Sequence, residues 1–289
     1  MSTILLLNAL MLGLINGAFY ALLSMGLALI FGLLNVVNFA HGALFMLGGY
    51  IAWTLLNYLG VGYWPSLIFA PLLVAVLAVV IEVAFLRRLY QLDHLYGLLL
   101  TFGVGLIIEG LAHNLYGSAG LPFPVPAELT GVVRAGPLVV PIYRLWVLSL
   151  SMVMCIAIWL LVEKTRLGAI LRASTQDASL VSAFGINVPI LVTATYAGGA
   201  ALAAFCGVLA APVYSLSPSM GAAFLTSVFA VVVVGGMGSI VGAVVAGFGL
   251  GMIEGLTKIF YPAGSSISIF VAMALVLLMR PRGLFGKAS

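Results

Sequence analysis

Apolar runs of bilayer-spanning length follow one another along almost the whole of this chain, and they leave it few ways to fold. Backbone groups in hydrocarbon have no water to bond, so each run of about 20 apolar residues must satisfy itself as a helix. Runs bounded by turn or charge signals give nine predicted segments, at about 4–31, 39–57, 64–86, 95–116, 145–162, 189–211, 222–235, 240–257 and 266–279. The seventh is short and the second is rich in glycine, so either is expected to be broken or re-entrant, and eight to ten segments fit the pattern. The expected fold is all-α: a polytopic transmembrane helix bundle forming one membrane domain over residues 1–289. Only 6% of the residues are charged, against roughly 25% in soluble domains. The run from Ile4 to Phe31 has no basic flank and exceeds the roughly 7–15 residues of a signal-peptide core, so a retained helix is expected.

The net charge of +4 would suggest nucleic acid in a soluble protein, but here the basic residues sit beside apolar runs. They act as topology signals, and nucleic-acid binding is set aside. Eight of the eleven fall in three clusters: Arg87 with Arg88, Lys164 to Arg172, and Arg280 to Lys287. Nine segments put all three on one side, the cytoplasm, with Arg134, Arg144 and Lys258 opposite. The C-terminus is then cytoplasmic and the N-terminus periplasmic. On this topology residues 117–144 form an extracytoplasmic loop, which Pro122, Pro124, Pro126, Pro137 and Pro141 keep from becoming a regular helix. Trp64, Trp146 and Trp159 stand at segment ends, as interfacial aromatics do. Gly13 with Gly17, Gly238 with Gly242, and Gly251 with Gly255, joined by Gly247 and Gly249, have small-residue spacing that lets helices approach closely. Cys155 and Cys206 lie inside apolar segments and are expected to be small buried hydrophobes.

A carrier that couples transport to ions by itself needs ionisable groups in the membrane, and this chain has few. Glu82 stands just before Arg87 and can snorkel to the interface, and Glu254 precedes Lys258 by four residues. Glu109 is the deeper acid, with His113 on the same helical face. The two form either a polar pair steadying the bundle or a contact for substrate. The sequence holds no G-x-x-x-x-G-K-[ST] phosphate loop, no H-E-x-x-H and no C-x-x-C. Neither an intramembrane enzyme nor a metal site is expected, and energy for active transport must enter through another subunit.

The polar stretch at 163–188, EKTRLGAILRASTQDASLVSAFGINV, offers a handle for such a subunit. Ser174 and Asp177 resemble a capping box, predicting a helix from about Thr175 to Phe184 with Leu180, Val181 and Phe184 on one face and Gly185 as its stop. About ten residues cannot cross a bilayer and are marginal alone in water, so this helix must pack on something. It either connects segments along the bundle's own surface or seats in a groove of an ATPase. Near the other end of the chain, Asn35, Asn38 and His41 are polar side chains in apolar surroundings, and with Gly42, Gly48 and Gly49 they suggest a broken helix. Such a break can line a translocation path or gate, or His41 can cross-link helices by hydrogen bonds.

Asp177, Ala178 and Gly185 match the spacing of the coupling loop of ABC-importer permeases, and Arg172 lies in the same loop. Residues 32–53, GLLNVVNFAHGALFMLGGYIAW, resemble the N-F-A-H-G…G-Y segment of branched-chain amino-acid permeases. LRASTQDASLVSAFGIN and VVVVGGMGSIVGAVVAGFGLGMIEGL complete that pattern, so the resemblance covers essentially the whole chain. Its length is similar to the shorter, H-type (LivH-like) permeases. Gln176–Asp177 stand where many relatives carry Glu-Asp. The resemblance implies an ABC-importer permease fold in the bacterial inner membrane and import of branched-chain amino acids or related small solutes. It also implies a second, M-type permease, two ATP-binding subunits that hold ATP and Mg, and a periplasmic binding protein, with no cofactor bound by this chain. The competing expectations are a stand-alone facilitator or secondary carrier, which a coupled ion site would support, and a membrane scaffold without transport.

Overall fold

The computed structural model describes residues 3–34, 37–90, 92–136 and 138–286, so Asn35, Pro137 and Lys287 lie outside the described residues. Among the described residues, nine apolar helices occupy the nine predicted runs: α1 (Thr3–Leu34), α2 (His41–Leu59), α3 (Tyr63–Ala84), α4 (His94–Tyr116), α5 (Ile142–Lys164), α8 (Val188–Ala210), α9 (Met220–Gly235), α10 (Ile240–Phe260) and α11 (Ser265–Met279). Eight of the described regions are long and apolar enough to span a bilayer, the last of them Pro262–Met279, which adds a short 3-10 turn to α11. α9 has only 16 residues. Two short helices, α6 (Arg166–Gln176) and α7 (Ala178–Ala183), lie between α5 and α8. Side-chain caps start several helices: Asp93 accepts from the Leu95 amide at α4, Asn187 from Ile190 at α8, and Ser239 from Gly242 at α10. Left-handed Gly60 (φ 64°) ends α2.

The chain divides into two compact units, with boundaries inside α1, α5 and α9 and a fourth in the loop after α4. The first comprises residues 1–25, 124–155 and 226–289. In it α1 packs backbone to backbone on α10. A Cβ at Gly13 would come within 2.8 Å of the Gly251 carbonyl oxygen, one at Gly247 within 2.6 Å of Ala21 Cα, and one at Gly255 within 2.6 Å of Gly13 Cα. The small-residue patterns of the two helices are thus halves of one interface, whereas Gly249 faces open space. Glu254 accepts from Tyr20 Oη at 2.8 Å and from Asn16 Nδ2 at 3.3 Å, and pairs with Lys258 at 3.1 Å. The C-terminal tail returns to α9, where the Leu284 and Phe285 amides donate to the carbonyls of Val234 and Gly235. Those are end-of-helix carbonyls, which need donors from elsewhere. The 117–144 loop contains an antiparallel β-hairpin, β1 (Val132–Ala135) with β2 (Leu138–Pro141). Its β-branched flanks around Gly136 (φ 61°) are a hairpin signal that the count of prolines obscures.

The second unit comprises residues 26–123 and 156–225. α2 is its centre and packs on α3, α4 and α8. The predicted break within this helix does not occur: α2 runs unbroken through Gly48 and Gly49. Those glycines serve packing instead, since a Cβ at Gly48 would land on the Ala204 backbone of α8 and one at Gly49 would come within 2.6 Å of Leu216. Gly207 of α8 returns the fit against the Phe45 carbonyl. Tyr50 stacks on Tyr116 with ring centroids 4.5 Å apart, and the Tyr116 hydroxyl lies 2.6 Å from Thr54 Oγ1. Residues 211–219 are held to the end of the α4 connection by reciprocal Leu121–Leu216 backbone bonds of 2.9 Å. Along α3, Ile68, Leu72, Val76 and Val80 form an exposed apolar stripe at a spacing of four, as a lipid-facing or subunit-facing helix requires.

Glu82 does not snorkel. Its side chain is fully buried near the end of α3. Arg87 donates to it through Nε at 3.2 Å and Nη2 at 3.1 Å, Tyr90 through its hydroxyl at 3.0 Å, and Thr193 of α8 through its hydroxyl at 2.6 Å. Burial of a carboxylate is tolerated when its lone pairs are this well met.

Candidate functional site

Two groups of residues singled out from the sequence occupy two separate regions of the second unit. In the polar stretch, Thr165 caps α6 through a bond from the Gly168 amide, and α6 ends at Gln176. Asp177 breaks the chain (φ −150°, ψ 96°) and caps α7. The helix therefore begins at Ala178 rather than Thr175, and Asp177 is itself the cap rather than the third residue of a box begun by Ser174. Ser174 sits inside α6, buried. An extended Asp177 accepts from the Leu180 amide at 2.9 Å and from the Ser179 hydroxyl at 2.6 Å, and that geometry excludes the helical dihedrals a longer helix would need. Gly185 (φ 81°) stops α7. Val181 is buried, while Leu180 and Phe184 are 55% and 77% exposed. Arg172 is held at the α5–α6 corner by Glu163 at 3.5 Å and by the Val162 carbonyl.

The bonds from Ser179 and Leu180 hold the Asp177 carboxyl below the usual aspartate range. A folded pKa below the unfolded value means that the cap contributes fully above the ordinary aspartate pKa and is lost as pH falls through the lowered one. Asp177→Ala is expected to speed amide exchange at Leu180 and Val181 several-fold at neutral pH. Unchanged exchange there would show that the cap does not order α7.

The second region lies where the chain enters α2. Asn38 and His41 are buried. Asn38 Oδ1 accepts from the Ala40 amide at 3.1 Å, and the Asn38 carbonyl accepts from the His41 amide at 3.2 Å, so this residue shapes the turn. Asn38 Nδ2 and the Tyr196 hydroxyl interact, yet neither makes a bond of full hydrogen-bond geometry. The His41 ring rests on Gly26, where a Cβ would come within 3.1 Å of Cε1. Gly42 lies against Gly221 of α9, whose own Cβ would come within 2.6 Å of the Gly42 carbonyl oxygen.

A cavity of about 100 Å³ opens beside this turn, between the 39–46 stretch, one face of α4, and residues 218–225. Glu109 of α4 lines it with Ala43, Met46, Gly105, Leu106 and Ala222. Phe39 and Phe102 also line it and meet edge-on, with centroids 6.3 Å apart. Thr101 ties α4 to the turn, accepting from the Phe39 amide at 3.2 Å and donating to the Val37 carbonyl at 3.3 Å. The fold thus brings Glu109 to the neighbourhood of Gly42, but His41 is not among the residues lining the cavity. Glu109 and His113 do not pair: among the described residues no hydrogen bond or ion pair joins them, and His113 is exposed a turn further on. Sequence reasoning missed the opposing walls, whose small residues Ala43, Gly105 and Ala222 carry no chemical signal. Among the described residues no group of three or more His, Cys, Asp or Glu is placed to hold a metal.

Long apolar helices with glycine-to-glycine contacts, polar turns between them and a short capped helix outside the spans define a polytopic integral membrane protein. The chain belongs to the permease component family of branched-chain amino acid transport systems, whose sequence profile matches residues 9–280. It is similar to the high-affinity branched-chain amino acid permease BraD of Pseudomonas aeruginosa, at 28% identity over 95% of this chain and 94% of that one. To LivH of Escherichia coli K12 it is 26% identical, with the same shares covered. A probable LivH of Methanocaldococcus jannaschii is 29% identical, over 92% of this chain and 88% of the relative.

Proposed function

We propose that this chain is one permease half of an ATP-driven importer for branched-chain amino acids or related small solutes. The observation that carries the reading is the family match over residues 9–280. BraD and LivH are named as permeases for branched-chain amino acids, and the chain is similar over nearly its full length to both. It is also 26% identical to LivM of E. coli K12 over 92% of its length, which supports pairing with a second, M-type permease. Two ATP-binding subunits holding ATP and Mg, and a periplasmic binding protein, complete the assembly in the bacterial inner membrane. The C-terminus and α7 would face the cytoplasm, as the clusters around Arg87, Lys164 and Arg280 favour. α7 would be the handle, with the exposed Leu180 and Phe184 as its docking face. Nucleotide-driven closure of the ATPases would then pull on α5 and α8 through α6 and α7, opening the path near Asn38, His41 and Gly42 alternately to each side.

The test is uptake of L-leucine by proteoliposomes holding the chain with its co-purified subunits and binding protein. Phe184→Asp is expected to lower ATP-driven uptake by about tenfold or more, as loss of an interface anchor does, while the permease itself still folds. Uptake by this chain alone, without ATPases, would refute the importer reading in favour of a facilitator.

A further inference from the structure

We infer that the Glu109 cavity is a way station for the solute inside the membrane, taking the α-ammonium group of a hydrophobic amino acid at Glu109 and its side chain among the apolar walls. The inference rests on the amino-acid reading above. Glu109 stands in the second half of α4, inside a span of mean hydropathy 1.9. Acids at such positions ordinarily pair with a cation or a donor, because an unmet charge there is costly. The chain's other membrane-embedded acids follow that rule: Glu82 has Arg87, Tyr90 and Thr193, and Glu254 has Lys258, Tyr20 and Asn16. Glu109 has no hydrogen bond or ion pair among the described residues. Glu109 instead lines the cavity, whose other lining residues are all apolar or glycine.

Size and charge select the ligand together. A cavity of about 100 Å³ is well above the ~10–15 Å³ that one water needs on the same measure, and it suits a compact body such as the four carbons of a leucine side chain. An anionic solute would be repelled by Glu109, and a sugar would leave its hydroxyls unmet against Ala43, Met46, Leu106 and Ala222. A cationic head with a small apolar body satisfies both halves of the cavity, and the α-carboxylate of an amino acid would stay at its open side, in solvent, because no donor side chain lines the walls. Two of its walls, Phe39 and Phe102, pack on each other and are fixed through Thr101, so the site is largely formed before the solute arrives.

The test measures binding of radiolabelled L-leucine to the purified permease–ATPase complex in nanodiscs, without the binding protein. Unlabelled 3-methylbutylamine, which keeps the ammonium and the branched chain, is expected to compete, and 4-methyl-2-oxopentanoate, which lacks the ammonium, is not. Glu109→Gln is expected to weaken leucine binding by about tenfold or more, with Glu109→Asp retaining part of it. Ala222→Leu should weaken binding by filling the cavity while leaving the carboxylate in place. The inference is overturned if the Gln variant binds leucine as the native complex does, if the oxo acid competes as well as the amine, or if the native complex shows no saturable leucine binding. Dissociation of the two permeases in Glu109→Gln would also overturn it, by assigning the carboxylate to the subunit interface. Leucine uptake by the full native importer, run in parallel, separates failure of this site from failure of the amino-acid reading.

Discussion

Gly48→Ala is expected to deplete the folded protein sharply, and Gly48→Leu to abolish it, because the added Cβ would land on backbone rather than on a side chain that can turn away. The atoms in its path are the carbonyl and Cα of Ala204, in the helix that packs along α2. Separating two helices that meet through Gly48, Ala204 and Gly207 also opens the contacts around Phe45 and Gly49. Overpacking of this sort ordinarily costs about 1–3 kcal/mol, and here no small adjustment absorbs it. Gly207→Ala should behave alike, since its Cβ would strike the Phe45 carbonyl from the other side. Gly249→Ala is the control: nothing lies within 4 Å of its added carbon, and alanine is the better helix former by about 1 kcal/mol. The measurement is the monodisperse fraction and thermal midpoint of detergent-solubilised protein. A Gly48→Leu protein as abundant and as stable as the control would remove the α2–α8 contact as a foundation of the fold.

Loss of the Glu82 clamp is the second large effect expected. Breaking a buried ion pair from one side costs about 3–5 kcal/mol because the remaining charge is stranded. Arg87 keeps 37% of its side chain exposed, so Glu82→Ala should fall at the low end as the guanidinium turns to solvent. Arg87→Ala should be worse, for it leaves the fully buried carboxylate with only the Tyr90 and Thr193 hydroxyls. Glu82→Gln should lie between Glu82→Ala and the native protein. The double substitution should cost less than the two singles added together, which is the signature of a coupled pair. Thermal midpoints of the four variants decide the matter, and strict additivity would show that the pair contributes nothing beyond its parts.

The difference between these two sites shows what a linear sequence carries. Helix positions were legible because hydrocarbon imposes length and hydropathy on each span: the run predicted at 64–86 is Tyr63–Ala84, and that at 189–211 is Val188–Ala210. Small-residue spacing was equally visible, but the identity of the facing helix was not. Gly13 and Gly17 gave no hint of meeting Gly247, Gly251 and Gly255, because nothing local records a contact across 230 or more positions of chain. Glu82 was misread for the same reason, as its neighbour Arg87 is close in sequence while Thr193 is not. In the polar stretch the stop at Gly185 was readable, whereas the single face expected of Leu180, Val181 and Phe184 was not kept, since Val181 is buried and the other two are exposed, and the boundary at Asp177 was not visible. An Asp three residues after a Ser satisfies two capping patterns, and only the dihedrals at Asp177 choose between them. The Glu109 cavity was half legible: an acid in an apolar run announces itself, whereas the alanines and glycines that make room beside it do not.

The brevity of α9 is a matter of depth. Sixteen residues rise about 24 Å as a helix, short of the roughly 30 Å of hydrocarbon in a typical bilayer. Its second half is shielded by protein, with Val228, Ala230, Val231, Val232 and Val234 buried, so the missing length is not a mismatch that lipid must absorb. The tail amides of Leu284 and Phe285 meet its last carbonyls, and a helix end inside a membrane protein is tolerated where other backbone satisfies it in this way.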